Sequence, residues 1–242
     1  MPDSVSVRPP RRDPRWTPKP FPLSKLLDPA DLQGPLLDEA CTVLQYDCVR
    51  GQHPMREWEY AMAHYVIRQW RGYALPDAPR LQLADVGGAG SCFPLSFAAY
   101  APQETWVIDP VADPTAYPAC HVVRDTVEGL SVRAPLQHTF DIITAISVIE
   151  HLEQPVAFCR ACARLLRPGG LFFLTCDCWD CDGPDVAVNA HMRQRIYNPG
   201  AMRHLGMRLR EDGFKSFGTA SWVYPGNFVN DYSFASLAMV TT

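Results

Sequence analysis

The chain has 242 residues, 47% hydrophobic and 20% charged, which supplies enough apolar material for one α/β domain with a modest extension. A formal net charge of −4 gives no electrostatic ground for a nucleic-acid or acidic-lipid partner, and no run reaches the roughly 18 apolar residues of a membrane helix. The first sixteen residues carry charges with no apolar stretch behind them, unlike a secretory signal, so the nine cysteines are expected as reduced thiols in the cytoplasm.

In chain order, seven prolines between Pro2 and Pro22 alternate with Arg8, Arg11, Arg12, Arg15 and Lys19. Proline lacks an N–H, so residues 1–22 are expected as an extended or flexible arm outside any sheet. Its arginines could contact an acidic protein partner. Residues 23–80 read as an N-terminal helical cap, with apolar residues at helical spacing over Leu36–Tyr46 and more strongly over Arg56–Trp70. Gly72 and the Pro76–Pro79 stretch end that pattern. From Leu81 to the last residue, short apolar runs alternate with helical segments. Strands are expected at 80–86, 105–110, 121–125, 140–147 and 171–176, with helices at 94–101 and 156–166 between them and a turn at Arg167–Gly170. A helix at Pro199–Glu211 and two strand-like stretches, 214–223 and 233–240, complete the chain. This predicts a mostly parallel sheet with helices on both faces and an antiparallel C-terminal hairpin.

The segment Asp85-Val86-Gly87-Gly88-Ala89-Gly90-Ser91 follows a strand and precedes a helix. Small residues there let the backbone turn sharply and pass close to a bound ligand. Asp109 ends the second strand about twenty residues later, where a carboxylate can accept both hydroxyl hydrogens of a ribose. A dinucleotide fingerprint would need a third glycine at Phe93, which speaks against NAD.

These residues resemble the class I S-adenosylmethionine-dependent methyltransferase family over roughly residues 81–240. LADVGGAGS is similar to its first motif, with Ala89 and Ser91 where later glycines usually fall. WVIDP resembles its acidic second motif, and Arg124-Asp125-Thr126 a site that contacts the adenine amino group. FDIITAISVIEHL and LLRPGGLFFLT resemble the fourth motif and the helix-turn-strand after it. The resemblance implies a Rossmann-like fold with a seven-stranded sheet and S-adenosyl-L-methionine as cofactor. It implies contacts from Asp85, Gly87, Gly88, Ala89, Gly90, Asp109, Asp125, Thr126 and Ile146. Some family members with a D-V-G-G-x-G-S turn act on sugars or other small metabolites, and Trp58-Glu59-Tyr60 is loosely similar to a motif of theirs.

Methyl transfer from a sulfonium needs an in-line nucleophile and often removal of a proton. Glu59, His151 and Asp177 are the expected catalytic residues, chosen from a set that includes Glu150, His53, His64 and His191. The acceptor is expected between the Arg56–Trp70 helix and the segment Asp177–Tyr197, whose polar groups suit a polar, hydroxylated small molecule better than a flat apolar one, with hydroxyl favoured over amine as the methylated group. Cys176, Cys178 and Cys181 supply three thiols with only His191 near as a fourth ligand, so no metal is expected. No N/D/S-P-P-Y/F follows the fourth strand, which lowers amino methylation of bases. Methylation of RNA or protein, or a silent scaffold docking through its arm, are the alternatives.

Overall fold

The computed structural model describes residues 11–12, 21–45, 56–75, 81–96, 103–179, 187–189, 194–223 and 233–242. The first elements are strands β1 (Arg11–Arg12) and β2 (Ser24–Lys25), helices α1 (Leu37–Val43) and α2 (Arg56–Tyr73), and strand β3 (Ala74–Leu75). Alternation then follows through β4 (Leu81–Val86), α3 (Phe93–Ser96), β5 (Gln103–Ile108), β6 (His121–Val123), α4 (Val127–Ser131), β7 (Phe140–Ile146), α5 (Pro155–Leu165) and β8 (Leu166–Cys178). The rest comprises β9 (Ala187–Asn189), β10 (Gln194–Ile196), α6 (Pro199–Glu211), β11 (Phe214–Ser216), β12 (Ala220–Ser221) and β13 (Ser233–Thr241).

Seven strands form one sheet in the order β11-β13-β8-β7-β4-β5-β6. The neighbours from β8 to β6 are parallel, while β13 is antiparallel to both β8 and β11. This is the Rossmann-like, mostly parallel sheet expected from the alternation. Gly218, at φ 72°, breaks the predicted 214–223 strand. Phe214–Ser216 stays in the sheet, and Ala220–Ser221 peels away to pair in parallel with Ser24–Lys25.

Side chains alternate across the central strands, so each face carries its own core. Ala84, Ile143, Ala145, Phe172, Leu174 and Cys176 pack with α5 and α6. Leu83, Ile142, Ile146, Leu171 and Phe173 pack with α1 and α2 on the other face. Helix α2 is therefore a layer on the sheet face as well as part of the expected cap. Trp58 through Ile67 are all buried because α1 covers one side of α2 and the sheet the other. Only its N-terminal turn reaches the sheet's carboxyl edge, where it meets β7 and β8.

The arm departs from the reading that its prolines keep it out of ladders. Arg11 and Arg12, which have N–H groups, pair antiparallel with Leu75 and Ala74. The expected turn at Arg167–Gly170 lies inside β8, where Gly169 takes φ 78°. Asp177 likewise sits within β8 rather than after it. Among the described residues no helix is long and apolar enough to cross a membrane.

Candidate active site

The parallel strands end on one edge, and the turn after β4 is built there for close approach. Gly87 has φ 74°, and a Cβ on it would come 2.6 Å from Val148 Cγ2. Only glycine lets the chain pass under the loop that follows β7. The N–H of Gly87 donates to the carbonyl of Ile108 at 2.9 Å, and a Cβ at Gly88 would collide with the Asp85 carboxylate. From outside, the Tyr117 hydroxyl lies 2.6 Å from the Gly88 carbonyl oxygen and 2.7 Å from that of Ser91. Nothing in the sequence marked Tyr117.

Asp85 is buried, and its Oδ1 accepts from Thr144 Oγ1 at 2.6 Å. Burial, which disfavours the charged carboxylate, pushes its pKa up to about 7. Asp109 closes the turn: Oδ2 accepts from the Ala89 N–H at 3.2 Å and Oδ1 from the Val111 N–H at 2.8 Å.

Between these strand ends and the β7 loop lies a cavity of about 260 Å3. Gly87, Asp109, Asp125, Thr126, Ser147 and His151 line it, with apolar walls from Ile108, Val127, Val148 and Phe158. Asp85, Gly88, Ala89, Gly90 and Ile146 lie outside that lining. Asp85, Gly88 and Ala89 shape the turn from behind it. Gly90 has open space around the position of a Cβ. Ile146, an expected cofactor contact, packs its side chain in the core toward α2, and Ser147 and Val148 line the cavity. Asp125 is held by Arg133 and accepts from the Thr126 N–H at 2.7 Å, while Thr126 Oγ1 caps α4 at the Gly129 N–H. A carboxylate beside the glycine turn and apolar walls closed by a second acidic loop fit an adenosyl group.

A second cluster adjoins the cavity through Ser147, which takes φ 53° at the end of β7. Glu59, fully buried, accepts from Ser147 Oγ at 2.7 Å and Thr175 Oγ1 at 2.5 Å through Oε1. Its Oε2 accepts from Arg56 Nη1 at 2.6 Å, and the same Nη1 donates to Ser147 Oγ at 2.7 Å. Both oxygens of Glu59, one of the expected catalytic residues, are thus engaged by protein groups. Burial works against the charge of Arg56, but Glu59, followed by Tyr60, Glu150 and Asp177, outweighs it and raises the guanidinium pKa. Glu150 is buried too, and Oε1 accepts from the Asp177 N–H at 3.3 Å. Burial first, then the Asp177 charge, holds Glu150 well above the carboxylate range. Asp177 is pushed up to about 7 by burial and by Glu59, against the pull of Arg56. Asp177 Oδ2, Glu150 Oε2 and Arg56 Nε have no hydrogen-bond partner among the described residues.

His151 stands exposed at the cavity rim, and desolvation with Arg56 nearby lowers its pKa, leaving a neutral imidazole at neutral pH. His64 is a core residue, 2.6 Å from Ser96 Oγ and lowered to about 4 by burial. Tyr197 is buried beside β8, and its N–H donates to the Asp177 carbonyl at 2.9 Å. Arg195 is half-buried on β10. Cys176 and Cys178 lie in the core against α6, Cys176 Sγ 3.4 Å from Met202 Sδ. His53, Cys181 and His191 lie outside the described residues.

The seven-stranded Rossmann-like fold is one shared by S-adenosylmethionine-dependent methyltransferases of known structure. Residues 84–174 match the family described as "Methyltransferase domain". The chain is similar to the ubiquinone biosynthesis O-methyltransferase of Xanthomonas campestris pv. campestris (strain B100), at 32% identity over 139 residues, 54% of each protein. It is 29% identical to that of Vibrio cholerae serotype O1 (strain M66-2) over 132 residues, 49% of this chain and 53% of the relative. The chain therefore spans about half the length of the curated relatives it matches. Among solved structures, Burkholderia thailandensis 1,6-didemethyltoxoflavin-N1-methyltransferase, bound to 1,6-didemethyltoxoflavin and S-adenosylhomocysteine, aligns with a TM-score of 0.57 at 17% identity, covering 93% of this chain and 94% of that one. The [4+2]-cyclase SpnF aligns at 0.55 and 16% identity, over 85% and 93%. At such identities the likeness is one of fold.

Proposed function

We propose that the chain binds S-adenosylmethionine in the cavity beside Gly87 and transfers its methyl group to a hydroxyl of a polar small molecule. Three orphaned buried atoms carry this reading: Asp177 Oδ2, Glu150 Oε2 and Arg56 Nε. A buried polar atom without a partner costs about 1–3 kcal/mol, so these atoms, on residues linked through Arg56 to Ser147 of the cavity wall and through the Asp177 N–H to Glu150, suit a ligand with its own hydrogen-bonding groups. The names of the relatives, O-methyltransferases of a quinone pathway, support a hydroxyl over an amine. The fold does not decide this, because an N-methyltransferase and a cyclase share it.

When bound, S-adenosylmethionine supplies an electrophilic methyl on a sulfonium. Asp109 would accept from its ribose hydroxyls, and Asp125 and Thr126, which line the same cavity, would hold the adenine. Asp177 takes the acceptor's hydroxyl proton as the oxygen attacks, and its raised pKa suits a base working near neutrality. Arg56 Nε donates to a neighbouring oxygen of the acceptor and fixes its direction. His151, at the rim, is the second group able to take a proton.

Two measurements test this. Calorimetry should show saturable binding of S-adenosylhomocysteine and none of NAD. Mass spectrometry of a panel of hydroxyl and amine acceptors should show a gain of one methyl on a hydroxyl, lost in Asp177→Asn with cofactor affinity kept. NAD binding without S-adenosylhomocysteine binding, or methylation confined to amines, would overturn it.

A further inference from the structure

Glu59 is engaged on every side by groups from three separate elements, and these contacts close a ring. The Ser147 N–H donates to Thr175 Oγ1 at 3.1 Å, Thr175 Oγ1 donates to Glu59 Oε1 at 2.5 Å, and Ser147 Oγ donates to the same Oε1 at 2.7 Å. Arg56 Nη1 spans the ring from outside, donating both to Glu59 Oε2 and to Ser147 Oγ. Each hydroxyl has one hydrogen, and both point at Glu59, so the ring is satisfied only with Glu59 as an acceptor at both oxygens.

The ring holds Ser147 where an L-residue resists going. A φ of 53° is left-handed backbone, uncommon outside glycine and found where surrounding contacts over-determine it. Ser147 also lines the cavity next to Val148, whose side chain rests on Gly87. Displacing Ser147 therefore moves the wall of the cavity itself.

We infer that Glu59 is a positioning residue that acts on the cofactor cavity through Ser147, holding the left-handed turn after β7 while it aims Arg56 at the acceptor side. This rests on the cofactor reading of the cavity, but one of its measurements does not need a ligand. Glu59→Gln keeps a carbonyl oxygen for the two hydroxyls and turns an amide donor toward the Arg56 donor, so the ring loosens without loss of volume. Ser147→Gly removes the hydroxyl and makes the left-handed turn strain-free.

Hydrogen exchange on the ligand-free protein reads the first consequence. In Glu59→Gln, the amides of 147–151 should exchange roughly tenfold faster, while those of Leu81–Val86 keep the parent rate. Calorimetry with S-adenosylhomocysteine reads the second. Glu59→Gln should weaken binding about tenfold in the parent and less than about twofold in the Ser147→Gly background, the signature of action through one residue. Thr175→Val, which leaves Glu59 in place, should repeat the exchange result if Glu59→Gln does not fold. A parent that fails to bind S-adenosylhomocysteine overturns the cofactor reading, with the exchange result still deciding the ring. Unchanged exchange in folded variants overturns the inference. So does an equal loss of affinity in both backgrounds, which would make Glu59 a general support of the fold.

Discussion

The Asp109 carboxylate accepts from the backbone N–H of Ala89 at 3.2 Å, so the acidic end of β5 is tied to the glycine turn of β4. The same carboxylate lines the cavity. An ionised carboxylate has about four lone-pair sites, two of them used here, which leaves room for hydroxyl hydrogens from a ligand.

Asp109→Ala should weaken S-adenosylhomocysteine binding by about ten- to a hundredfold, since hydrogen bonds to a charged group contribute roughly 1.5–3 kcal/mol. The melting transition should remain cooperative. An unchanged dissociation constant would show that Asp109 only braces the turn.

Gly87 and Gly90 share left-handed backbone but not surroundings, with φ of 74° and 78°. Gly90→Ala meets open space, so its cost is the conformational one, about 1–2 kcal/mol. Gly87→Ala adds a clash with buried Val148 and should destabilise by about 2 kcal/mol more, consistent with overpacking. Adding Val148→Ala should recover part of that increment. Urea midpoints of the single variants that coincide would refute the distinction.

The raised pKa of Asp85 makes a prediction with a definite sign. Its carboxyl holds a proton in the folded state up to about pH 7 but releases it near 4 when unfolded. Between these values the folded protein binds more protons, so this group's contribution to stability falls as pH rises and is level above about 7. Asp85→Asn can still accept from Thr144 and does not titrate. Its stability should therefore decline less than the parent's between pH 4 and 7, measured by chemical denaturation at fixed salt. Parallel profiles would mean that Asp85 ionises alike in both states.

Much of this was legible in the sequence where the signal is local. The strand and helix alternation, Gly87 in its turn, and Asp109 at the end of the next strand lie in segments whose geometry is set by near neighbours. The ring around Glu59 was not legible. It joins residues 88 and 116 positions apart through two hydroxyls, and a serine or threonine in a strand has no local pattern announcing a partner. Tyr117 escaped for the same reason. The core placement of the Ile146 side chain was not legible either, because a motif names a stretch, whereas strand alternation decides which of its side chains face the cavity. Glu59 was recognised as important, but which groups would occupy its oxygens depended on how α2 lies against β7 and β8.

The last prediction concerns the segment ahead of α2. Asp31 is buried and accepts from Lys25 Nζ at 2.8 and 2.7 Å and from Trp58 Nε1 at 3.1 Å. It thereby ties residues 25–31 to the first turns of α2, at the residue preceding Glu59. Asp31→Ala strips the partner from a fully buried indole N–H and from a lysine whose side chain is only 12% exposed. Breaking a buried ion pair costs about 3–5 kcal/mol, and a lysine that can still reach water reduces this to roughly 2–3 kcal/mol. Asp31→Asn keeps an acceptor for Trp58 and should lose about half as much. Asp31 is not among the residues lining the cavity, so both variants should bind S-adenosylhomocysteine within about twofold of the parent at temperatures where they are folded. Equal stability of parent and Asp31→Ala would show that this contact does not anchor the segment. A tenfold loss of affinity in folded Asp31→Asn would show that the N-terminal segment acts on the site through α2.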